Sequence, residues 1–133
     1  MSTIHCRIVT PHGVYKEMDT SILNVVTLSG ERGILPNHVP VVTMLKISRM
    51  TTVENGQRIE YAIAGGMLYF RDNTAEILTD AIESKDEIDV DRAVAAKTRA
   101  EKRLSSGRPN LDQERAEVAL KRAINRINVV QRH

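Results

Sequence analysis

The spacing of apolar residues changes once along this 133-residue chain, from a period near two to a period near 3.6. That change limits the fold more than any other feature. Up to about residue 83, apolar and polar positions alternate. Ile4, Cys6 and Ile8 share one face of IHCRIVT, and Ile59, Tyr61 and Ile63 share one face of RIEYAIAG with Arg58 and Glu60 opposite; such alternation marks half-buried strands. ILNVVTL, VVTMLKI and TAEILTDAI are short and rich in β-branched residues, with turn signals at Pro11-His12-Gly13, Ser29-Gly30, Asn55-Gly56 and Asp72-Asn73. Asn55-Gly56 predicts a tight hairpin, because a primed turn needs positive φ at its centre. Many short strands separated by turns predict an antiparallel sandwich or barrel.

After about residue 86 the period is helical. VDRAVAAKTRAEKRL contains no glycine or proline, and Asp89 is placed to cap it, with Asp91 in the first turn opposing the macrodipole. SSGRPN ends this helix; Asn110 with Gln113 forms a capping-box pattern for a second helix over about 111–131. Its apolar stripe runs through Ala116, Ala119, Leu120, Ala123, Ile127 and Val130. Alanine lets helices approach closely but buries little: at about 0.8 kcal/mol per buried CH₂, an alanine seam holds far less than a leucine seam. The hairpin therefore needs a second surface.

The division also shows in charge. Residues 1–83 carry seven Lys/Arg against nine Asp/Glu, whereas residues 84–133 carry twelve against eight. The chain has room for one modest core or a small domain with an appendage, and its 41% hydrophobic and 27% charged residues are those of a globular protein. No apolar run nears the roughly 18 residues of a membrane span, and MSTIHCRIVT lacks a signal-peptide layout, so a cytoplasmic chain without direct membrane insertion is expected. The lone Cys6 excludes an internal disulfide and reads as a small buried hydrophobe. His5, His12, His38 and His133 show no metal-ligand spacing, so no metal site is expected.

LSGERGILPNHVPVV, residues 28–42, turns sharply between two glycines and two prolines and cannot be a central strand. It carries no phosphate-binding G-x-x-x-x-G-K-[ST]. GERGILPNHVP, AIAGGMLYF at 62–70, the Ala-rich hairpin and ALKRAINRINV at 119–129 together resemble the epsilon subunits of bacterial F-type ATP synthases, in order and over essentially the whole chain. The family commonly has glycine where this chain has Asn37, and asparagine also tolerates positive φ.

The resemblance implies an α+β chain: an N-terminal antiparallel β-sandwich (1–84) docked to the gamma subunit and the c-ring, and a regulatory two-helix hairpin (85–133). It implies a non-catalytic central-stalk subunit, peripheral at the cytoplasmic face of the cell membrane. The hairpin either folds down or extends toward the alpha/beta catalytic hexamer and inhibits ATP hydrolysis, with Arg115, Lys121, Arg122 and Arg126 making the inhibitory contact. In some members the folded hairpin binds ATP through an Ile-Asp-x-x-Arg-Ala pattern, matched here by Ile88, Asp89, Arg92 and Ala93, with Arg99, Arg122 and Arg126 at associated basic positions and Glu83 placed to reach a ribose hydroxyl or the base. Asp89 is expected to orient Arg92 or another guanidinium, and the pattern leaves the role of Mg²⁺ open.

Charge spacing agrees with an anion site. Arg92 and Arg99 lie seven residues apart, only about 20° out of line. Arg122 and Arg126 stand on adjacent turns, where like charges oppose each other by about 0.2–0.5 kcal/mol. A triphosphate would relieve such a cluster. The bland alternative is a solvated face neutralised by Glu101, Glu114 and Glu117. Three other functions compete: a coupling adaptor without ATP sensing, a nucleic-acid-binding module, and a small-ligand enzyme built on the sandwich. No nucleic-acid partner is expected, since the helical part has no Phe, Tyr or Trp for stacking. The acids and histidines of the first part form no recognisable catalytic constellation.

Overall fold

The computed structural model describes residues 2–107 and 110–131. The chain divides into two compact units, Met1–Ser84 and Lys85–His133. The first contains β1 (Ile4–Thr10), β2 (Gly13–Thr20), β3 (Leu23–Thr27), β4 (Gly30–Ile34), β5 (Val41–Glu54), β6 (Gln57–Arg71), β7 (Thr74–Leu78) and β8 (Ile82–Ser84). The alternation seen in sequence is the burial pattern: Ile4, Cys6 and Ile8 are buried while His5 and Arg7 are exposed. Burial pushes the Cys6 thiol up to about 12, so it stays an inert apolar side chain.

β5 and β6, 14 and 15 residues long, form one antiparallel ribbon joined at Asn55-Gly56, whose φ values of 52° and 77° are those of a type I′ turn. Each half of β6 has a different neighbour besides β5. Met67–Arg71 of β6 pairs β7, which continues through β1 to β2. Tyr61–Ile63 of β6 pairs β8, while β5 pairs β3 at Thr51-Thr52 and, past a register shift, at Leu45; β3 in turn pairs the edge strand β4. The side chains of Ile4, Ile8, Leu23, Ile34, Met50, Ile63, Leu68 and Ile77 fill the core of the sandwich.

The ribbon changes layer at Gly65-Gly66, where φ is 81° and 128°. A Cβ on Gly66 would stand 2.0 Å from the Leu78 carbonyl oxygen, so only glycine lets β7 close against β6 here. The sheet is not wholly antiparallel: β1 and β7 pair parallel, from His5↔Thr74 to Val9↔Leu78. A parallel pair needs no turn between its strands, so nothing local announces it.

Two hairpins share one turn chemistry. The Thr10 hydroxyl donates to the Gly13 carbonyl (3.3 Å) and accepts from the His12 N–H (3.2 Å); Thr27 does the same with Gly30 (2.9 Å) and Ser29 (3.1 Å). At the β2–β3 corner, the buried Thr20 hydroxyl donates to the Ile22 carbonyl (2.6 Å) and accepts from the Val53 N–H (2.9 Å), tying the corner to β5.

A polar clasp joins β2 to β5 and β6. Lys16 Nζ meets Glu54 (2.8 Å) and the Tyr61 hydroxyl (2.9 Å), and both Tyr61 and Thr52 donate to the same carboxylate. Burial pushes the Glu54 carboxyl up, but the hydrogen bonds from Lys16, Thr52 and Tyr61 outweigh it and leave it lowered. Burial, seconded by Glu54, pushes the Tyr61 phenol up to about 12.

The second unit opens with a 3-10 turn, Lys85–Glu87, followed by α1 (Val90–Ser105) and α2 (Asn110–Gln131). Asp89 caps α1: its carboxylate accepts from the Arg92 N–H (3.1 Å) and its carbonyl from the Ala93 N–H (3.0 Å). α1 ends with the Ser106 N–H donating to the Arg103 carbonyl (3.3 Å). Gly107 follows at φ 70°, where glycine carries the turn. The side chain of Asn110, and with it the capping box, lies outside the described residues, as do Arg108 and Pro109. α2 packs on α1 and on the 3-10 turn. Ala93 and Ala100 are buried on α1, and Ala116 and Ala123 on α2. Of the expected stripe on α2, Ala116 and Ala123 are buried while Ala119, Leu120, Ile127 and Val130 are only half-buried, and Val129, outside the stripe, is 1% exposed. The packed arc is thus wider than the seam alone, reaching the flank that carries Arg122 and Arg126.

Gly66→Ala should lower stability by about 3 kcal/mol in urea unfolding, against about 1–2 kcal/mol for Gly56→Ala, where a Cβ meets nothing within 4 Å. Because the folded Glu54 carboxyl is lowered, its contribution is present above its unfolded pKa and lost as pH falls through the folded value. Glu54→Gln should therefore be less stable at pH 7 and lose less on acidification below about pH 4.3 than the wild type, as read by urea midpoints across pH.

Candidate functional site

The hairpin supplies all but one, Glu83, of the residues that the resemblance singles out. A short connection makes its two helices antiparallel neighbours, so helix phase decides which side chains meet. Taking the buried alanines as the seam and about 100° per residue, Arg92 and Arg99 stand roughly 100–120° to one side of it on α1. Arg126 and Arg122 stand roughly 60–100° from it on α2, in the same rotational sense. In an antiparallel pair, equal senses fall on the same side. All four arginines therefore flank one side of the hairpin, and Arg103 shares it by phase.

Their environments differ. Arg92 and Arg99 are exposed, whereas Arg122 and Arg126 are half-buried. Among the described residues Arg92 and Arg99 form no ion pair, and Glu101, Glu114 and Glu117 form none either. Ile88 is buried just after the 3-10 turn and Ala93 lies in the seam, so these two shape the helix start and offer no polar group. Asp89 is the cap that the sequence predicts: its carboxylate holds the Arg92 backbone N–H, and among the described residues no bond to the Arg92 guanidinium is formed. A cap satisfies an otherwise orphaned donor, which a solvated guanidinium does not require. Glu83 belongs to β8 of the sandwich unit, half-buried and in register with Ala62. Arg115 and Lys121 are exposed on α2.

The sandwich carries a second surface, on the face opposite its core. In register across five strands, Met44, Met67, Leu78, Val9 and Val14 form an apolar row on an outer face. Met44, Leu78 and Val14 are exposed. The next row, Val42, Tyr69, Glu76, Arg7 and Glu17, carries charge at its last three positions, with Arg7 paired to Glu76 at 3.4 Å. The row beyond it holds His5, whose two ring nitrogens meet Glu17 and Asp19 at 3.0 Å each. The signal lay in strand parity: VVTMLKI and GGMLYF place apolar residues on both faces, which a strand with one solvated face does not require.

Residues 3–85 match the family described as ATP synthase, Delta/Epsilon chain, beta-sandwich domain, and residues 86–131 match ATP synthase, Delta/Epsilon chain, long alpha-helix domain. The chain belongs to the ATP synthase delta/epsilon family. It is 44% identical over 129 residues to the ATP synthase epsilon chain of Bacillus licheniformis, covering 97% of this chain and 98% of that one. It is 41% identical over 134 residues to the epsilon chain of Halalkalibacterium halodurans, covering 99% and 100%. A chain from the Euglena gracilis mitochondrial ATP synthase, OSCP/F1/c-ring in rotational state 1, superposes with a TM-score of 0.76 at 22% identity, covering 91% of this chain and 77% of that one. A chain from the Tetrahymena thermophila mitochondrial ATP synthase central stalk/c-ring gives a TM-score of 0.63 at 13% identity, covering 98% of each. These two likenesses concern the fold.

Asp89→Ala should cost about 1 kcal/mol in thermal unfolding and reduce the helical signal, while Asp89→Asn, which keeps a capping oxygen, should stay within a few tenths. Equal losses in both variants would put the role of Asp89 in its charge.

Proposed function

We propose that this chain is a non-catalytic rotor subunit of ATP synthase whose hairpin is a nucleotide-responsive switch. The observation that carries the reading is the phase of Arg92, Arg99, Arg122 and Arg126 on one side of a hairpin sealed by alanines. Four guanidiniums on one side make an anion-binding flank, and a triphosphate fits it with charge-assisted, partly bidentate hydrogen bonds. ATP that binds only the folded hairpin stabilises it by about 2.7 kcal/mol at a hundredfold excess over Kd. Reversing a 1:99 population takes about 5.5 kcal/mol, so ATP at that level biases the hairpin strongly without locking it.

When ATP falls, the hairpin extends. Arg115, Lys121, Arg122 and Arg126 then exchange one anionic partner for acidic surface on the alpha/beta hexamer and impede hydrolysis. The sandwich couples the gamma subunit to the c-ring, at the cytoplasmic face of the membrane and without inserting into it. Its apolar outer row and the exposed Leu35 and Val39 of the 35–40 loop support protein docking.

Calorimetric titration of the whole chain with ATP, with GTP as control, tests the switch. Wild type is expected to bind ATP with preference over GTP. Arg92→Ala and Arg126→Ala should each weaken binding about tenfold or more, the worth of one charged hydrogen bond. Unchanged affinity in either variant removes that residue from the site, and no heat of binding in the wild type leaves a coupling subunit whose hairpin answers to something other than ATP.

A further inference from the structure

Between Gly33 and Leu45 the chain carries no Asp, Glu, Lys or Arg. Its loop displays Leu35 at 54% and Val39 at 70% exposure. Apolar side chains held in water on a loop require something to keep the loop from collapsing. Part of the support is local: Leu35, Pro36, Asn37 and His38 form a turn closed by the His38 N–H on the Leu35 carbonyl (3.1 Å), with Asn37 at φ 70°. Proline second and a left-handed residue third are the requirements of a type II turn. Pro36 and Pro40 offer no backbone donors, so the loop cannot extend a strand to hold itself.

The rest of the support comes from one distant residue. Asn73, at φ 56° in the β6–β7 turn, accepts the Asn37 N–H on its side-chain oxygen and donates its amide to the Asn37 side-chain oxygen (3.1 Å). Its backbone carbonyl accepts the His5 N–H (2.9 Å), so the same residue is fastened to the start of β1. The His38 ring stands edge-on to Phe70, at 5.8 Å between centroids, on the strand that leads into this turn. Asn73 thus ties three segments that are remote in sequence, and the amide exchange fixes both position and orientation of the apolar loop.

We propose that Asn73 is a positioning residue that holds the 35–40 loop, through Asn37, in the shape in which the sandwich docks on the rotor; this rests on the docking reading given above. A loop fixed before contact loses less conformational freedom on binding, so the amide pair acts on affinity without touching the partner.

The test uses Asn73→Gly, which keeps the left-handed backbone and the carbonyl bond to His5 while deleting the amide. Asn55→Gly is its matched control, in an equivalent primed turn where the Asn55 side chain makes no hydrogen bond among the described residues. Hydrogen exchange at the Asn37, His38 and Val39 amides should quicken tenfold or more in Asn73→Gly and stay unchanged in Asn55→Gly, with both variants unfolding as the wild type does. Binding to the assembled gamma–c-ring rotor should weaken three- to tenfold in Asn73→Gly alone. Wild-type exchange or wild-type rotor binding in Asn73→Gly overturns the proposal. The Leu35→Ser/Val39→Ser double variant separates the two claims: if it binds the rotor as the wild type does, docking through this loop fails whatever Asn73 does. If it binds weakly while Asn73→Gly does not, docking stands and the role of Asn73 falls.

Discussion

The sandwich depends on the close approach of the Leu78 carbonyl to the Cα of Gly66, a space that any side chain would fill. Because that approach is possible, β7 lies against the second half of β6, and β1 and β2 follow it into the first layer. Because the backbone at Gly65 and Gly66 takes positive φ, the first half of β6 turns away to serve the second layer with β8. The burial of Ile8, Leu68 and Ile77 therefore follows from two residues with no side chains of their own.

The hairpin follows a different economy. Its seam is made of alanines, its first helix is started by a single carboxylate, and its cationic side chains crowd one flank. Close approach favours a compact pair, while the small apolar area of alanine limits what burial contributes. In the sandwich the long ribbon and the Lys16-Glu54-Tyr61 clasp make opening costly. The chain thus joins a unit braced by long strands and a polar clasp to one held by small apolar side chains.

What could be read in the sequence was what is local. The switch of period, the Asn55-Gly56 hairpin, the Asp89 cap and the parity of Ile4, Cys6 and Ile8 are each set by residues within a few positions of one another. The parallel pairing of β1 with β7 joins residues about seventy positions apart and left no local mark. Nor did the bond between Asn37 and Asn73: each residue reads alone as a turn former, and only the folded chain brings the amides together. At the hairpin, the sequence supplied the arginines but not their environments. Burial of Val129 and partial burial of Arg122 and Arg126 widen the packed arc in a way an ideal stripe does not foresee.

Sharing β5 and β6 between the layers has a mechanical result. In a sandwich whose layers meet only through side chains, a tangential load slides one sheet over the other against dispersion forces alone. Here two strands of 14 and 15 residues pass from one layer to the other, so the same load is carried along covalent backbone and a continuous ladder of hydrogen bonds. Torque applied at the outer row of Met44, Met67 and Leu78 would reach the opposite sheet with little slip, as it would through a washer cut from one piece.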